Sequence, residues 1–278
     1  MKKYLIVTLI FLCSANMLRA DNWFYNLEEA QKMALATNKL ILVDFWATWC
    51  GPCKKMDLES WNKDDVKALM SNYIPVKIDI DSNTEIANKY SIRSIPYVFI
   101  LDGNGKVVYK SLSYKSKSQV IKLLETYTLN TEFLNKELIS YYKNPSFVSA
   151  YRLASKYQDF SLFLNEDIRT DFIGTSDRYF EEALDFLKEG DQNNKVAFQQ
   201  KIEFYEIQKQ LLLNNAKKAS KLLGKINTDE VHEMNKTFFA YLNYATCKFL
   251  NDADNIKLWE AQVNENDKKK VELLLKSA

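Results

Sequence analysis

Histidine is nearly absent from this chain: His232 is the only one in 278 residues. Cysteine is almost as scarce, with Cys13, Cys50, Cys53 and Cys247. Zinc takes about four ligands, or three and a water, and no spacing here gathers such a set. A metal centre is therefore not implied. Six glycines and four prolines are too few for long low-complexity or disordered stretches. Neither sign of charge dominates, with 38 Lys and Arg against 36 Asp and Glu. No basic patch rises above that background, so nucleic acid is not implied as a partner. The apolar stretch Leu5–Leu12 is too short to span a membrane.

That stretch has another use. Lys2 and Lys3 precede it, and Ala15 and Ala20 follow. A basic start, a short apolar run and a small-residue cleavage site read as an export signal over residues 1–20, cut after Ala15 or Ala20. Cys13 invites a lipoprotein reading, but Leu12 stands where such signals carry a small residue. Removing 1–20 deletes Lys2, Lys3 and Arg19 and no acid, so the formal charge moves from +2 to −1. Three cysteines remain, too few for a structural disulfide framework. In an exported protein, as in the periplasm, a close pair and one odd cysteine read as one redox couple and one buried or free thiol.

Past the leader, the pattern alternates strands and helices. Asn26 caps a predicted helix from Leu27 to about Asn38. Leu40–Trp46 is apolar except for Asp44 and reads as a strand buried on both faces. Asp64 is placed to cap a short helix through Met70. Strands follow at Ile74–Ile80 and Tyr97–Leu101, with a helix at Thr84–Tyr90 between them. Asp102-Gly103-Asn104-Gly105 signals a hairpin into a strand at Lys106–Tyr109, and Ser116–Tyr127 closes the region as a helix. This order predicts one mixed sheet with helices on both faces, an α/β unit over 21–128. From about Asn130 strand signals vanish and helical periodicity runs to the end. Breaks at Asn144-Pro145, Gly174, Gly190-Asp191 and Gly224 divide 129–278 into an all-α domain of five to seven helices.

The chemistry is concentrated in Trp49-Cys50-Gly51-Pro52-Cys53-Lys54. A strand that ends in Cys-x-x-Cys and continues as a helix puts the first sulfur at the helix N-terminus. Unpaired backbone N–H groups and the helix dipole favour a thiolate there. Two thiols three residues apart can then form a reversible two-electron couple. The rivals are half a zinc site, completed only by Cys247 and His232 in the helical part, and a structural disulfide, whose small loop removes little unfolded-state entropy.

Three segments carry a family resemblance. Val43–Lys54 resembles the active-site segment of thioredoxin, Val76–Asp81 its next strand, and Ala87–Pro96 its cis-proline segment. The resemblance covers about residues 22–127 and implies a thioredoxin fold followed by the helical domain. It implies Cys50 as the attacking thiolate, Cys53 as the resolving thiol, and Gly51 and Pro52 as the turn that lets the sulfurs approach. It implies a proton-relay role for Asp44 near Cys53, with Lys77 close to that aspartate. Pro96 would be cis, bringing Ile95 beside the sulfurs to pair with an extended substrate; Trp49 would line the substrate surface and Trp46 the core.

The implied activity is thiol–disulfide exchange, of the protein-disulfide reductase type, in an exported and periplasmic protein. No cofactor is implied. The partners would be exported proteins with disulfides and a membrane or soluble thiol electron donor. In a second reading the helical domain binds a partner or builds an assembly, and the thioredoxin fold is its scaffold. The chain departs from the family twice. Lys55–Trp61 lacks the proline that kinks the helix after the motif, and Ser111-Leu112-Ser113-Tyr114 stands where a glycine faces the substrate.

Overall fold

The computed structural model describes residues 23–190 and 193–276. The export signal expected at 1–20 lies outside them. Asn26 accepts hydrogen bonds from the Glu28 and Glu29 amides and starts α1 (Leu27–Thr37), which ends at Asn38 in the left-handed region. Next come β1 (Ile41–Trp46), α2 (Gly51–Met56), a π-helical turn (Asp57–Trp61), α3 (Asp64–Met70), β2 (Ile74–Asp79) and α4 (Thr84–Lys89). The unit closes with β3 (Tyr97–Leu101), β4 (Val107–Leu112) and α5 (Lys117–Thr126). The cap of α3 is Lys63, with no side-chain bond, and Asp64 is already helical.

The sheet has the order β2-β1-β3-β4. β1 runs parallel to β2 and antiparallel to β3, and β4 is antiparallel to β3. Burial on both faces explains the apolar run of β1: Ile41, Val43 and Phe45 face one core, while Leu40 and Leu42 face another. The hairpin between β3 and β4 needs its glycines. Gly105 sits at φ +80, and a Cβ on Gly103 would come within 2.6 Å of Leu35 Cδ2.

Among the described residues eight α-helices follow, rather than five to seven: α6 (Glu132–Lys143), α7 (Phe147–Ser161), α8 (Glu166–Glu189), α9 (Lys195–Leu212), α10 (Ala216–Leu223), α11 (Lys236–Leu250), α12 (Ala253–Glu260) and α13 (Glu265–Lys276). Gly174 does not break a helix but lies inside α8. Its neighbours Thr175 and Ser176 are buried and bond to Val107 and Ala154 carbonyls. Those contacts outweigh the roughly 1 kcal/mol that glycine costs a helix.

One apolar core runs without interruption from α3, α5 and one sheet face into α6, α7 and α8, joining Leu42, Val98 and Leu124 to Leu153, Phe172 and Tyr179. A second core is built among α9 to α13. The first of these is pinned by Asp102 of the hairpin, which is fully buried. Its Oδ1 accepts from the Asn104 and Lys106 amides at 2.9 Å. Its Oδ2 accepts from the Tyr157 and Tyr179 hydroxyls at 2.8 and 2.7 Å. A residue that reads locally as a turn former thus also ties α7 and α8 to the sheet.

Candidate active site

β1 delivers the chain to the sulfurs. Its last residue, Trp46, is followed by Ala47 and a turn, and Cys50 is the N-cap of α2. Pro52 occupies the first turn of that helix, where its missing N–H costs nothing. The Cys53 amide donates to Cys50 Sγ at 3.2 Å, so a helix-terminal N–H faces the sulfur. Cys50 and Cys53 are joined as a disulfide, with their Cα atoms 5.3 Å apart. In this state both residues are 2% exposed, so Cys53 is no deeper than Cys50. Gly51 and Pro52 stand exposed above them.

Ala47, Trp46, Ile80 and Ile95 pack around the pair. The Ile95–Pro96 bond is cis, Pro96 is buried, and its carbonyl accepts from the Ser113 amide at 3.0 Å. Ser113, within the Ser111–Tyr114 stretch where the resemblance implies a glycine, adopts φ 86, a conformation that glycine takes freely. Trp49 is 66% exposed beside the sulfurs, and its indole N–H donates to Asp81 Oδ2 at 2.8 Å. Trp46 is only half-buried, with the Lys77 ammonium 5.1 Å from its ring centre.

Asp44 sits opposite Lys77 in the β1–β2 register. It is 2% exposed, and its Oδ1 has no hydrogen-bond partner among the described residues. Burial pushes its carboxyl up to about 7, against the pull of Lys77 and with the help of Asp57. The Lys77 ammonium pairs with the Asp57 carboxylate. Asp57 was not visible in the motif comparison. Only the fold brings it to Lys77, 20 residues away in sequence.

The helix leaves the motif through a π turn, with the Asn62 amide bonded to the Asp57 carbonyl five residues back. That turn supplies an irregularity where the family has its proline. Glu59 within it accepts from the Tyr114 hydroxyl at 2.5 Å, and Ser60 donates to the Lys115 carbonyl at 2.9 Å. The loop after β4 is thereby held against the active-site helix. Cys247 is remote from this site, half-buried on α11.

A family model described as a thioredoxin-like domain matches residues 27–128. The thioredoxin of Mycoplasmoides gallisepticum is 37% identical over 91 residues, spanning 33% of this chain and 87% of that protein. The Bacillus subtilis thioredoxin is 39% identical over 90 residues, spanning 31% and 79%. The thioredoxin structure from Nicotiana alata is 31% identical and covers 36% of this chain and 84% of its own, with a TM-score of 0.32. The helices α6 to α13 lie beyond the region that the family model matches. The matched region holds the Cys50–Cys53 pair, a centre for thiol–disulfide exchange, and the chain belongs to the thioredoxin family.

Proposed function

We propose that this protein is exported to the periplasm and reduces disulfides in other exported proteins. The observation that carries the reading is the Cys50–Cys53 disulfide at the start of α2, with a helix-terminal N–H on the Cys50 sulfur. In the reduced protein the same N–H favours the Cys50 thiolate. That thiolate attacks a substrate disulfide; a mixed disulfide forms and one substrate thiolate leaves. Asp44, poised near neutrality, takes the Cys53 proton. The Cys53 thiolate then attacks Cys50 Sγ, releases the second substrate thiolate and closes the Cys50–Cys53 bond. Two electrons pass to the substrate, and a donor dithiol must return them. The Gly-Pro dipeptide resembles that of reducing family members, and the Lys2–Ala20 pattern supports export.

Insulin reduction by dithiothreitol tests the reading. The wild-type protein is expected to accelerate it, Cys50→Ser to fall to the uncatalysed rate, and Cys53→Ser to accumulate a mixed disulfide visible by mass. Equal rates for wild type and Cys50→Ser would refute it.

A further inference from the structure

A groove of about 360 Å³ lies between β4 and α5, away from the sulfurs and sharing no residue with the shell around them. Its floor is apolar and aromatic: Leu123, Tyr109 and Tyr127, whose rings lie 4.9 Å apart. Its rim is cationic, with Lys115 and Lys122. Lys115 is half-buried, and its ammonium donates to the neutral Ser111 hydroxyl at 2.5 Å. Neither lysine has an ion-pair partner among the described residues, whereas neighbouring Lys117 is held by Asp65 at 2.6 Å. Burial pushes the Lys115 ammonium down, and no carboxylate acts to restore it. The acid that meets the floor, Asp171, is engaged by the Tyr127 hydroxyl at 2.5 Å.

A partly desolvated cation without a counter-charge is costly, and an incoming carboxylate removes the cost. The apolar floor beside it takes a side chain that water would otherwise surround. We propose that the β4–α5 groove binds a peptide segment carrying a carboxylate next to an apolar side chain. The carboxylate meets Lys115 and Lys122, and the apolar side chain lies on Tyr109, Leu123 and Tyr127. This places a protein-docking groove on the edge strand of the sheet, separate from the redox pair.

The test is a titration of ¹⁵N-labelled protein with the peptide acetyl-Glu-Phe-Glu-amide and its Gln-Phe-Gln counterpart. Shifts confined to residues around 109–127 are expected, with the acidic peptide bound at least tenfold more tightly. Lys115→Gln and Lys122→Gln should each weaken it at least fivefold, and Lys117→Gln should not. Lys122 is exposed, so its variant reads binding without risk to folding. No binding, equal binding of the two peptides, or an equal loss in Lys117→Gln would overturn the proposal. Competition by inorganic phosphate at the peptide's own affinity would also overturn it, showing a small-anion site instead. None of these readouts depends on disulfide reduction, so this proposal and the reductase reading fail separately.

Discussion

Asp44→Asn is expected to stabilise the protein at pH 9 by about 2–4 kcal/mol while leaving it nearly unchanged at pH 4. The native carboxyl is pushed up to about 7 by burial, against an ordinary value of 3.8. Between those values the folded state holds a proton that the unfolded state has lost. Wild-type stability therefore falls as pH rises through that window and is fully penalised above about 7. At 1.36 kcal/mol per unit, the penalty approaches about 4 kcal/mol for this shift. Asparagine carries no charge and escapes it, but keeps unmet hydrogen-bonding capacity, so the realised gain is smaller. Denaturant melts of both proteins from pH 4 to pH 9 measure the difference. On the proposed mechanism, in which Asp44 takes the Cys53 proton, the same variant should also reduce insulin up to about 10²-fold more slowly near neutrality. A destabilising group retained where chemistry needs it is the expected signature of a functional carboxyl. A variant no more stable at pH 9 than wild type would show that the charged carboxylate is relieved by some other partner.

Asp102→Ala is expected to destabilise the protein by about 4 kcal/mol or more, since each buried donor left unpaired costs about 1–3 kcal/mol. Four donors lose their acceptor: two backbone amides of the hairpin and the hydroxyls of Tyr157 and Tyr179. At roughly 2–4 °C per kcal/mol for a chain of this size, the melting temperature should drop by about 10 °C. Asp102→Asn keeps an acceptor for the amides and should cost much less. Because α7 and α8 share the core of the sheet, both halves of the chain should unfold together in wild type. Thermal melts of the three proteins, followed by circular dichroism, check this. An Asp102→Ala melt within 2 °C of wild type would contradict the role assigned to this carboxylate.

How much of this was legible beforehand differs by level. The strands and helices of 27–128 follow from apolar runs, caps and a hairpin signal, all local features. Cys50 at a helix start is equally local. Asp102 was legible only as a turn residue, because its partners lie 55 and 77 residues away in sequence. Asp57 and Asp81 were missed for a similar reason: each is defined by a contact to Lys77 or Trp49 that only the fold creates. The π turn has no simple hydrophobic period and so leaves no pattern to read. Gly174 was misjudged because a glycine's cost in a helix is small beside the buried contacts of its neighbours Thr175 and Ser176. Lys77 was placed near Asp44 by resemblance; the register sets them side by side, but the lysine's ammonium pairs with Asp57.

The most direct test of the central claim is the reduction potential of the Cys50–Cys53 pair, measured by equilibration with glutathione and mass-tagging of free thiols. A reductase of this family should give a value near that of thioredoxin, about −270 mV. A value near that of a strong disulfide donor, about −120 mV, would contradict the reducing role, and a pair that never opened would contradict the redox function itself.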